Sequence, residues 1–511
     1  MAVQIFAAIN VGSYDTTMKI YQIMPRKGYK LLDMVSRHLE LGADTYASGE
    51  LSNSTVDQLC DILQGFEKKM EEYDVREYRA YATSAVREAT NCELALDRIQ
   101  TRTGIRVMTV SNSEHRFMMY EAIADTLKDF DKITSKNTAV LDVGAGSIQI
   151  TIFDKQKISA TQNMPIGALR IRENLSGLNT SVLHIEDVMQ EYIENELTTF
   201  DNYYLKDKEI KHLIGVGEGI HALAKMLPEM HVGETINAEQ LDYICKKLEN
   251  KTPADIAETY GISYEKAAIL VPAALIYKLL LAKAKAEVIY LVDVSFCEGM
   301  VVDYMDSTKK LTLGHDFQSD IVSSAESIAK RYRCNKSHCQ SVAQTALLIF
   351  DSMKTFHGLD KRSRLQLELA CILHDCGKFV NMNNVADNSF HILMSTEILG
   401  ISHQERLEIA YICKYNTEKF PTYQTLQEDL SVAQYGKIAK LAAILKVANA
   451  MDRSHKQKIS RFTVNMKNKQ LVIMADTVYD ISLEAGLFES KADFFEVVYG
   501  IRPVLRQRRS I

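Results

Sequence analysis

The sequence lacks any apolar run of the roughly 18 to 20 residues that a membrane-spanning helix needs. The best candidate, Ala267 to Tyr277, is short, contains Pro272 and ends at Lys278, so we expect a buried helix and no membrane contact. The N-terminus, Met-Ala-Val-Gln-Ile-Phe, lacks the basic region and long apolar core of a signal peptide. Nine scattered cysteines, an odd number, favour reduced thiols in a cytoplasmic protein over a disulfide framework.

A strong charge of either sign is also missing, since 60 basic and 66 acidic side chains give a formal net charge of −6. This balance argues against a protein that coats nucleic acid through basicity, and we expect no nucleic-acid partner. Hydrophobic residues at 46% and charged residues at 25% exclude a disordered, fibrous or collagen-like chain. The length of 511 residues predicts three or four domains, at roughly 150 residues each.

A strand–turn–strand pattern occurs twice in the first third of the chain. In residues 3–23 two apolar runs flank the turn Gly12-Ser13-Tyr14-Asp15, and in residues 139–153 two more flank Gly144-Ala145-Gly146-Ser147. When Asn10 is matched with Asp142, Gly12 falls on Gly144 and each strand falls on a strand. The repeat predicts two lobes of similar structure.

The intervening segments predict an α/β fold with mixed sheets, because amphipathic helical stretches alternate with strand-like runs. The clearest stretches are Ser54 to Tyr73, Asn91 to Thr103 and Glu114 to Phe130. Val288 to Asp303 has the pattern of closing strands for the second lobe.

The pattern changes after residue 314, and residues 316–455 are nearly all helical, which predicts a separate helical domain. Arg461 to Ala475 alternates like a hairpin, and a helix and a basic tail follow it. We therefore predict two lobes at residues 1–130 and 131–308, a helical domain at 309–457 and a small α+β segment at 458–511. The tail is either a solvated end or a groove that guides a polyanion through Arg502, Arg506, Arg508 and Arg509.

Three glycine turns follow apolar strand-like runs: Gly12-Ser13, Gly144-Ala145-Gly146-Ser147 and Gly215-Val216-Gly217-Glu218-Gly219. Such turns suit phosphate, because backbone N–H groups donate hydrogen bonds without bulky side chains intervening. Three of them in one chain favour a nucleotide or polyphosphate site.

Two carboxylates near these turns each allow two interpretations. Asp142 ends a strand before its glycine turn, where it either holds Mg²⁺ against phosphate oxygens or caps the turn. Glu114 starts a helix after Ser111-Asn112-Ser113, where it is either favoured by the helix dipole or acts as a base toward water.

Six ordered segments in the first 300 residues resemble the exopolyphosphatase/guanosine pentaphosphate phosphohydrolase (Ppx/GppA) phosphatase family. They are AAINVGS at 7–13, YATSAVREATN at 81–91, VSNSEHRFMMY at 110–120, AVLDVGAGS at 139–147, MPIGALR at 164–170 and IGVGEG at 214–219. The resemblance implies two actin-like ATPase (ribonuclease H-like) lobes. It also implies Mg²⁺-dependent hydrolysis of the terminal phosphoanhydride of polyphosphate or guanosine pentaphosphate.

The resemblance also assigns roles by position. Glu114 would activate the attacking water, Asp142 would be the metal-side carboxylate, and Arg87 would pair with phosphate oxygens as a guanidinium fork. The other phosphate-binding positions are Gly12, Ser13, Gly144, Gly146, Ser147 and Gly217.

Several loop residues depart from the family pattern. Asn10 replaces an aspartate, Ala145 a glycine, Gln149 a glutamate and Glu218 a glycine. Asn10 and Gln149 remove two negative charges that would help to hold a cation, and Glu218 would repel phosphate unless a cation intervenes. These changes support a rival hypothesis, in which the protein binds guanosine tetra- or pentaphosphate or polyphosphate as a sensor.

The helical domain resembles the HD phosphohydrolase superfamily, whose metal ligands are two histidines and two aspartates. His338 and the adjacent pair His374 and Asp375 match three of these positions. Asn449 occupies the place of the last aspartate, and Asp452, one turn onward, is a substitute ligand in this interpretation. The set is incomplete, so we expect the HD-like fold, with metal chemistry that is weak or lost.

The sequence also raises a zinc site in this domain, two further rival functions and a homodimer. Cys334, His338 and Cys339 form a cluster, but it lacks a second pair at structural-zinc spacing. An HD nucleotidase is a second rival function, and a sugar or acetate kinase on the actin-like fold is a third. The long family form is compatible with a homodimer.

Overall fold

The computed structural model of the chain describes residues 4–176, 185–205, 209–227, 235–311, 313–467 and 470–508. The chain divides into two compact units, one ending at Asp320 and the other beginning at Ile321. We call them the lobed unit and the helical unit, and describe each by itself. The four domain boundaries predicted above stay predictions.

The first sheet of the lobed unit has the strand order β3-β2-β1-β4-β5. Its central strand β1 pairs antiparallel with β2 and parallel with β4, and Phe6 to Ile9 are fully buried in it. An uninterrupted apolar run is typical of a strand covered on both faces. The strands are β1 Gln4–Val11, β2 Asp15–Met24, β3 Gly28–His38, β4 Glu77–Ala82 and β5 Met108–Thr109.

The second sheet has the order β10-β11-β9-β6-β7-β8 and repeats the arrangement of the first. Its strand β6 pairs antiparallel with β7 and parallel with β9, as β1 does with β2 and β4. The predicted pair of similar lobes is therefore confirmed. The strands are β6 Thr138–Val143, β7 Ile148–Asp154, β8 Lys157–Met164, β9 His212–Val216, β10 Thr235–Asn237 and β11 Val288–Val292.

Helices cover both sheets of the lobed unit. They are α1 Leu41–Ser48, α2 Asn53–Glu72, α3 Ser84–Glu88, α4 Cys92–Thr103, α5 Asn112–Thr126, α6 Phe130–Thr134, α7 Ala168–Ser176, α8 Ile185–Phe200, a π-helix Asp201–Leu205, α9 Glu218–Ala224, α10 Ala238–Leu248, α11 Pro253–Tyr260, α12 Tyr264–Ala268, α13 Leu270–Ala284 and α14 Phe296–Ser307. The apolar run around Pro272 forms the buried helix α13, as predicted. None of the helices described is long and apolar enough to cross a membrane.

The prediction of closing strands across Val288 to Asp303 is wrong after Val292, because α14 begins at Phe296. Ser295 and Glu298 form a capping box, which satisfies the free N–H groups of a new helix. Glu298 also accepts hydrogen bonds from Lys19 Nζ at 2.9 Å and from the Tyr21 hydroxyl at 2.6 Å. These bonds hold α14 against the first sheet.

Helix α14 also packs closely against α5. A methyl group at Gly299 would lie 2.9 Å from the backbone of Met118, so only glycine permits this approach. The interface buries Glu121, and burial together with the negative charges of Asp303 and Asp306 raises the pKa of its carboxyl to about 9.

The helical unit contains eight further helices before its small sheet, counted over the residues described. They are α15 Phe317–Arg331, which starts just before the unit boundary, α16 Lys336–Ser352, α17 Lys354–His357, α18 Lys361–Leu373, α19 Val385–Met394, α20 His403–Lys414, α21 Tyr423–Leu426 and α22 Val432–Ala450, with a 3₁₀ turn at Cys376–Phe379. The helical pattern of residues 316–455 is thus confirmed.

The C-terminal sheet has the order β12-β13-β14, with β12 Arg461–Lys467, β13 Gln470–Asp476 and β14 Arg502–Arg508. The predicted hairpin is present, although its turn residues 468–469 lie outside the described residues. Helix α23 Ser482–Tyr499 follows it. The basic tail differs from the prediction, because it forms strand β14 and pairs in parallel with β13.

We expect Glu121→Gln to raise the free energy of unfolding of the lobed unit by about 3 kcal/mol at pH 8, and by much less at pH 5. A raised carboxyl pKa means that the folded state binds a proton that the unfolded state releases between about pH 4.5 and pH 9, so stability falls across that window. Glutamine imitates the neutral acid and removes this cost. Urea unfolding at both pH values measures the effect, with the exposed Glu93→Gln as control. An equal gain at pH 5 and pH 8 would contradict this explanation.

Candidate functional site

A cluster of hydroxyl groups joins the first glycine turn to α1 and α3. The Tyr46 hydroxyl donates to Ser13 Oγ at 2.8 Å, and Ser13 Oγ and Ser84 Oγ lie 2.9 Å apart. The Ala85 N–H also donates to Ser13 Oγ at 3.2 Å. The predicted phosphate ligand Ser13 is therefore fixed at the start of α3.

The second glycine turn closes over this cluster. A methyl group at Gly146 would lie 2.0 Å from the Tyr46 hydroxyl oxygen and 2.5 Å from Ser84 Oγ. Arg170 Nε donates to the Gly146 carbonyl at 2.8 Å, and its guanidinium stacks 3.8 Å above the Tyr46 ring. The structure thus brings the predicted residues Ser13 and Gly146 together.

Sequence reasoning missed Tyr46 and Arg170 as members of this contact. Arg170 ends the segment MPIGALR that carried part of the family resemblance, and this segment was the available signal. Tyr46 lies in α1 outside every matched segment, so no sequence pattern pointed to it.

The predicted phosphate-binding positions Gly12 and Gly144 close equivalent turns. The Gly12 N–H donates to the Asp15 carbonyl and the Gly144 N–H to the Ser147 carbonyl, each at 3.0 Å. In this conformation both N–H groups are already paired, so neither turn presents that donor to a ligand.

The carboxylate of Glu114 caps its own helix. It accepts from the Ser111 N–H at 3.1 Å and from Ser111 Oγ at 2.7 Å, while the Glu114 N–H donates back to Ser111 Oγ. This reciprocal capping box satisfies the free N–H groups at the start of α5. The sequence analysis offered a first-turn carboxylate favoured by the helix dipole or a base; the structure places Glu114 in the first turn as part of a cap, and its role as base stays a prediction.

Arg87 holds the segment that precedes Glu114. Its guanidinium donates to the Val110 carbonyl and to Asn112 Oδ1, both at 2.6 Å. This fork positions the start of α5. The pairing of Arg87 with phosphate oxygens, which the resemblance implied, stays a prediction.

His115, which the sequence analysis did not select, forms a pair with Gln149. Gln149 Nε2 lies 2.7 Å from His115 Nδ1, and the His115 ring meets Phe296 edge-on at 4.1 Å. Burial and the positive charges of Arg87 and Arg116 lower the pKa of His115 to about 3. The imidazole is therefore neutral at pH 7, and Nδ1 accepts the hydrogen bond from Gln149. His115 follows Glu114 directly in a matched segment, and that position was its only sequence signal.

Asp142 lies beside Gly217, as the repeated topology requires. Burial raises the pKa of Asp142 to about 6, against the opposing effect of the Arg116 charge. Gly217 has φ +92° at the start of α9, and a methyl group there would lie 3.3 Å from Asp142 Oδ1. Glycine is therefore needed at this position for the close approach of α9.

The oxygen donors near this turn fit Mg²⁺, which prefers carboxylate and amide oxygens. Asp142 supplies the carboxylate, and Gln149 and Arg116 line the same cavity, whose other lining residues are mostly apolar. The buried atoms Gln149 Oε1 and Asn10 Oδ1 have no hydrogen-bond partner within the described parts of the chain. The two amides that replace family carboxylates thus still offer oxygen atoms.

Glu218, which the sequence analysis expected to repel phosphate, has a cation beside it. Lys266 Nζ lies 3.2 Å from Glu218 Oε2. Asp15 faces His38, with 3.3 Å between Asp15 Oδ1 and His38 Nδ1. The lysine offsets the charge of Glu218 locally.

In the helical unit, five side chains from three segments of the chain converge; we call them the His338 centre. They are His338, His374, Asp375, Asp452 and His455. The three residues predicted as metal ligands are brought together, with His338 Nε2 at 4.0 Å from Asp375 Oδ2 and His374 Nε2 at 3.5 Å from Asp375 Oδ1.

The Asp452 carboxylate is bonded to two protein donors, and its role as a substitute ligand stays a prediction. Its Oδ2 accepts from His338 Nδ1 at 2.9 Å and from Gln457 Nε2 at 3.0 Å. His455 was missed, although it lies three residues after Asp452. Its ring stacks on that of His338 with 3.7 Å between centroids.

The arginines of the basic tail are largely paired with carboxylates. Arg502 contacts Glu489, Asp493 and Glu496, and Arg508 donates to Asp476. Arg509 lies outside the described residues. These pairs weaken the hypothesis of a polyanion groove.

Comparison with solved structures gives the class of fold. The chain is similar to an exopolyphosphatase from Cytophaga hutchinsonii at 19% identity and a TM-score of 0.53, over 61% of this chain and 100% of that one. It is also similar to the Ppx/GppA family member of Aquifex aeolicus at 20% identity and a TM-score of 0.50, over 62% and 100% of the two chains. The two lobes have the actin-like fold of these hydrolases.

Family models make the membership definite. The Ppx/GppA phosphatase family matches residues 20–308, and domain III of the same family matches residues 322–492. Since the first match alone covers more than half of the chain, the chain belongs to the Ppx/GppA phosphatase family, in its long form with domain III. A relative along nearly the full length is the guanosine-5′-triphosphate,3′-diphosphate pyrophosphatase of Photobacterium profundum, 20% identical over 92% of this chain and 91% of the relative.

We expect Gly146→Ala to destabilise the lobed unit by about 1 to 3 kcal/mol, because the added methyl group would overlap the Tyr46 hydroxyl. Tyr46→Phe removes that oxygen, so the double variant should regain part of the loss. Urea unfolding measures both. Gly65→Ala, which meets no atom within 4 Å in α2, is the matched control and should not destabilise. Equal losses in the single and double variants would show that the hydroxyl is not the obstacle.

Proposed function

We propose that the lobed unit hydrolyses the terminal phosphoanhydride of inorganic polyphosphate or guanosine pentaphosphate. The observation that carries the proposal is the convergence of the glycine turns: Ser13, Ser84 and Gly146 meet at Tyr46, and Gly217 lies against Asp142. Family membership supports the reaction class. The names of two relatives, an exopolyphosphatase and a guanosine pentaphosphate pyrophosphatase, support the two substrates.

The proposed reaction requires little covalent chemistry from the protein. An anhydride is cleaved by water in line with the leaving oxygen, while charge on the non-bridging oxygens is neutralised. Mg²⁺ bound through Asp142, with Gln149 lining the same cavity, would supply that neutralisation. Hydroxyl groups at Ser13 and Ser84 would orient phosphate oxygens.

Glu114 is the proposed base, and its geometry sets a condition. Both bonds from Ser111 end on Oε2, so Oε1 is the oxygen that would activate a water while the cap stays formed. His115 is neutral and bound to Gln149, and it lies next in the chain. Both side chains therefore need to be tested.

A second candidate function is ligand binding with little or no turnover. Glu114 caps a helix, which is the first observation in its support. Asn10 and Gln149 are neutral amides where the family pattern has carboxylates, and His115 is a neutral imidazole. A site with one carboxylate at Asp142 still binds a magnesium–phosphate ligand. Such a site has fewer charged groups with which to activate water.

The test measures phosphate release with Mg²⁺ from long-chain polyphosphate and from guanosine pentaphosphate, for the wild type, Glu114→Gln and Glu114→Ala. Glutamine keeps the cap, because a capping box accepts either residue, whereas alanine removes cap and base together. If Glu114 is the base, Glu114→Gln loses about 100-fold or more in kcat with unchanged thermal stability. The faster substrate identifies the activity.

Other results separate the alternatives. Loss of activity in Glu114→Ala alone, with a lower melting temperature, would leave Glu114 only a structural role, and His115→Ala would then be the next variant to assay. No phosphate release by the folded wild type, together with tight binding of guanosine pentaphosphate, would establish the binding function. The cytoplasmic location and the homodimer remain predictions from the sequence.

A further inference from the structure

The hydroxyl of Tyr46 completes a closed cycle of three hydrogen bonds with Ser13 and Ser84. Ser13 Oγ accepts from the Ala85 N–H at 3.2 Å and from the Tyr46 hydroxyl at 2.8 Å, which uses both of its lone pairs. Its own proton is therefore directed to Ser84 Oγ, 2.9 Å away, and Ser84 donates to the Tyr46 oxygen at 3.1 Å. Each of the three hydroxyl protons is used inside the cycle, so none remains for a ligand.

Two glycines make the space that the Tyr46 side chain fills. A methyl group at Gly146 would lie 2.0 Å from the hydroxyl oxygen, and a methyl group at Gly42 would lie 2.6 Å from the ring atom Cε2. A side chain at either position would therefore push the phenol out of this place. Ser13 and Ser84 are buried, whereas Tyr46 is only half-buried, so the tyrosine is the member of the cycle that can turn toward solvent.

Arg170 covers the face of the Tyr46 ring. Its guanidinium lies 3.8 Å from the ring centroid, which is a favourable cation–π contact. Its Nε donates to the Gly146 carbonyl at 2.8 Å, and its Nη2 donates to Glu88 Oε2 at 2.6 Å. The guanidinium thus faces the space that the phenol occupies, and an anion that entered this space would meet a positive charge.

The Tyr46 oxygen has the surroundings of a phosphate oxygen. An acceptor at its place would receive the protons of both Ser13 and Ser84, because neither serine would then need the other as an acceptor. A phosphate oxygen is charged, so it accepts these protons more strongly than a phenol does. The same two hydroxyls are the ones that would orient phosphate under the proposed function.

We propose that Tyr46 determines the affinity of the phosphate site, because its hydroxyl holds the place of a phosphate oxygen until a phosphate ligand displaces the ring toward solvent. The inference rests on the proposed function for the location of the site, but it concerns binding and not the activation of water. Each ligand must first break the bonds of Tyr46 to the serines, so the apparent affinity is lower than the serines alone would give. This cost is the same for polyphosphate and for guanosine pentaphosphate.

The first test measures the Kd of imidodiphosphate with Mg²⁺ by calorimetry, for the full-length wild type and Tyr46→Phe. Imidodiphosphate is a pyrophosphate analogue whose P–N–P bridge resists hydrolysis. Phenylalanine keeps the ring on Arg170 but frees the serine proton that the phenol accepted, so the variant should bind about 3- to 10-fold more tightly. The matched control is Tyr203→Phe, an exposed tyrosine of the same unit, which should bind as the wild type does.

A spectroscopic measurement follows the displacement itself. When 3-fluorotyrosine replaces Tyr46, its single ¹⁹F resonance should move to the position of a solvent-exposed tyrosine as imidodiphosphate is added. A resonance that stays in place while the ligand binds would overturn the displacement. An unchanged or weaker Kd in Tyr46→Phe would also overturn the proposal, since the hydroxyl would then be a bystander or a ligand. Failure of both proteins to bind imidodiphosphate would overturn it as well.

Phosphate release from polyphosphate and guanosine pentaphosphate separates this inference from the proposed function. If both hold, Tyr46→Phe lowers KM by the same factor for the two substrates and leaves kcat unchanged. Tighter binding by the variant without phosphate release from any protein would leave the role of Tyr46 standing and remove the hydrolysis. Phosphate release with an unchanged or raised KM in the variant would do the reverse.

Discussion

The contact of Tyr46 with Ser13, Ser84 and Gly146 sets how closely the two lobes of the lobed unit approach each other. The hydroxyl occupies the space of a side chain at Gly146, so the second turn can only close because that residue is glycine. Arg170 then binds the carbonyl of the same glycine and covers the Tyr46 ring. The positions of both turns depend on this contact.

Around that contact the polar side chains are mostly neutral or committed to structural bonds. Glu114 caps α5, Arg87 holds the segment before it, and His115 and Gln149 pair as uncharged groups. Asp142 keeps a carboxylate, but burial raises its pKa. A cation would stabilise its charged form, because an opposite charge nearby favours ionisation. Under the proposed function, binding of a metal–phosphate ligand would therefore be coupled to ionisation of Asp142.

The helical unit also compensates its buried charges, in a different arrangement. Asp452 is surrounded by donors, Asp375 contacts Lys378, and the two histidines direct their unprotonated nitrogens inward. The HD-like motif identified His338, His374 and Asp375, because the motif is defined by residue types and their spacing along the chain. It could not identify His455, since the contact of this ring with His338 depends on a left-handed turn.

The sequence by itself determined the repeated strand–turn–strand units, the helical character of residues 316–455 and the family, since periodicity, turn chemistry and ordered motifs are local properties. It did not determine where α14 begins: its apolar pattern predicted strands, whereas the structure has a helix whose start is capped by Ser295 and Glu298. Nor did it decide whether Glu114 faces water or its own helix. Only the tertiary structure decides such questions, because a side chain's role depends on which distant groups satisfy its hydrogen bonds and charge.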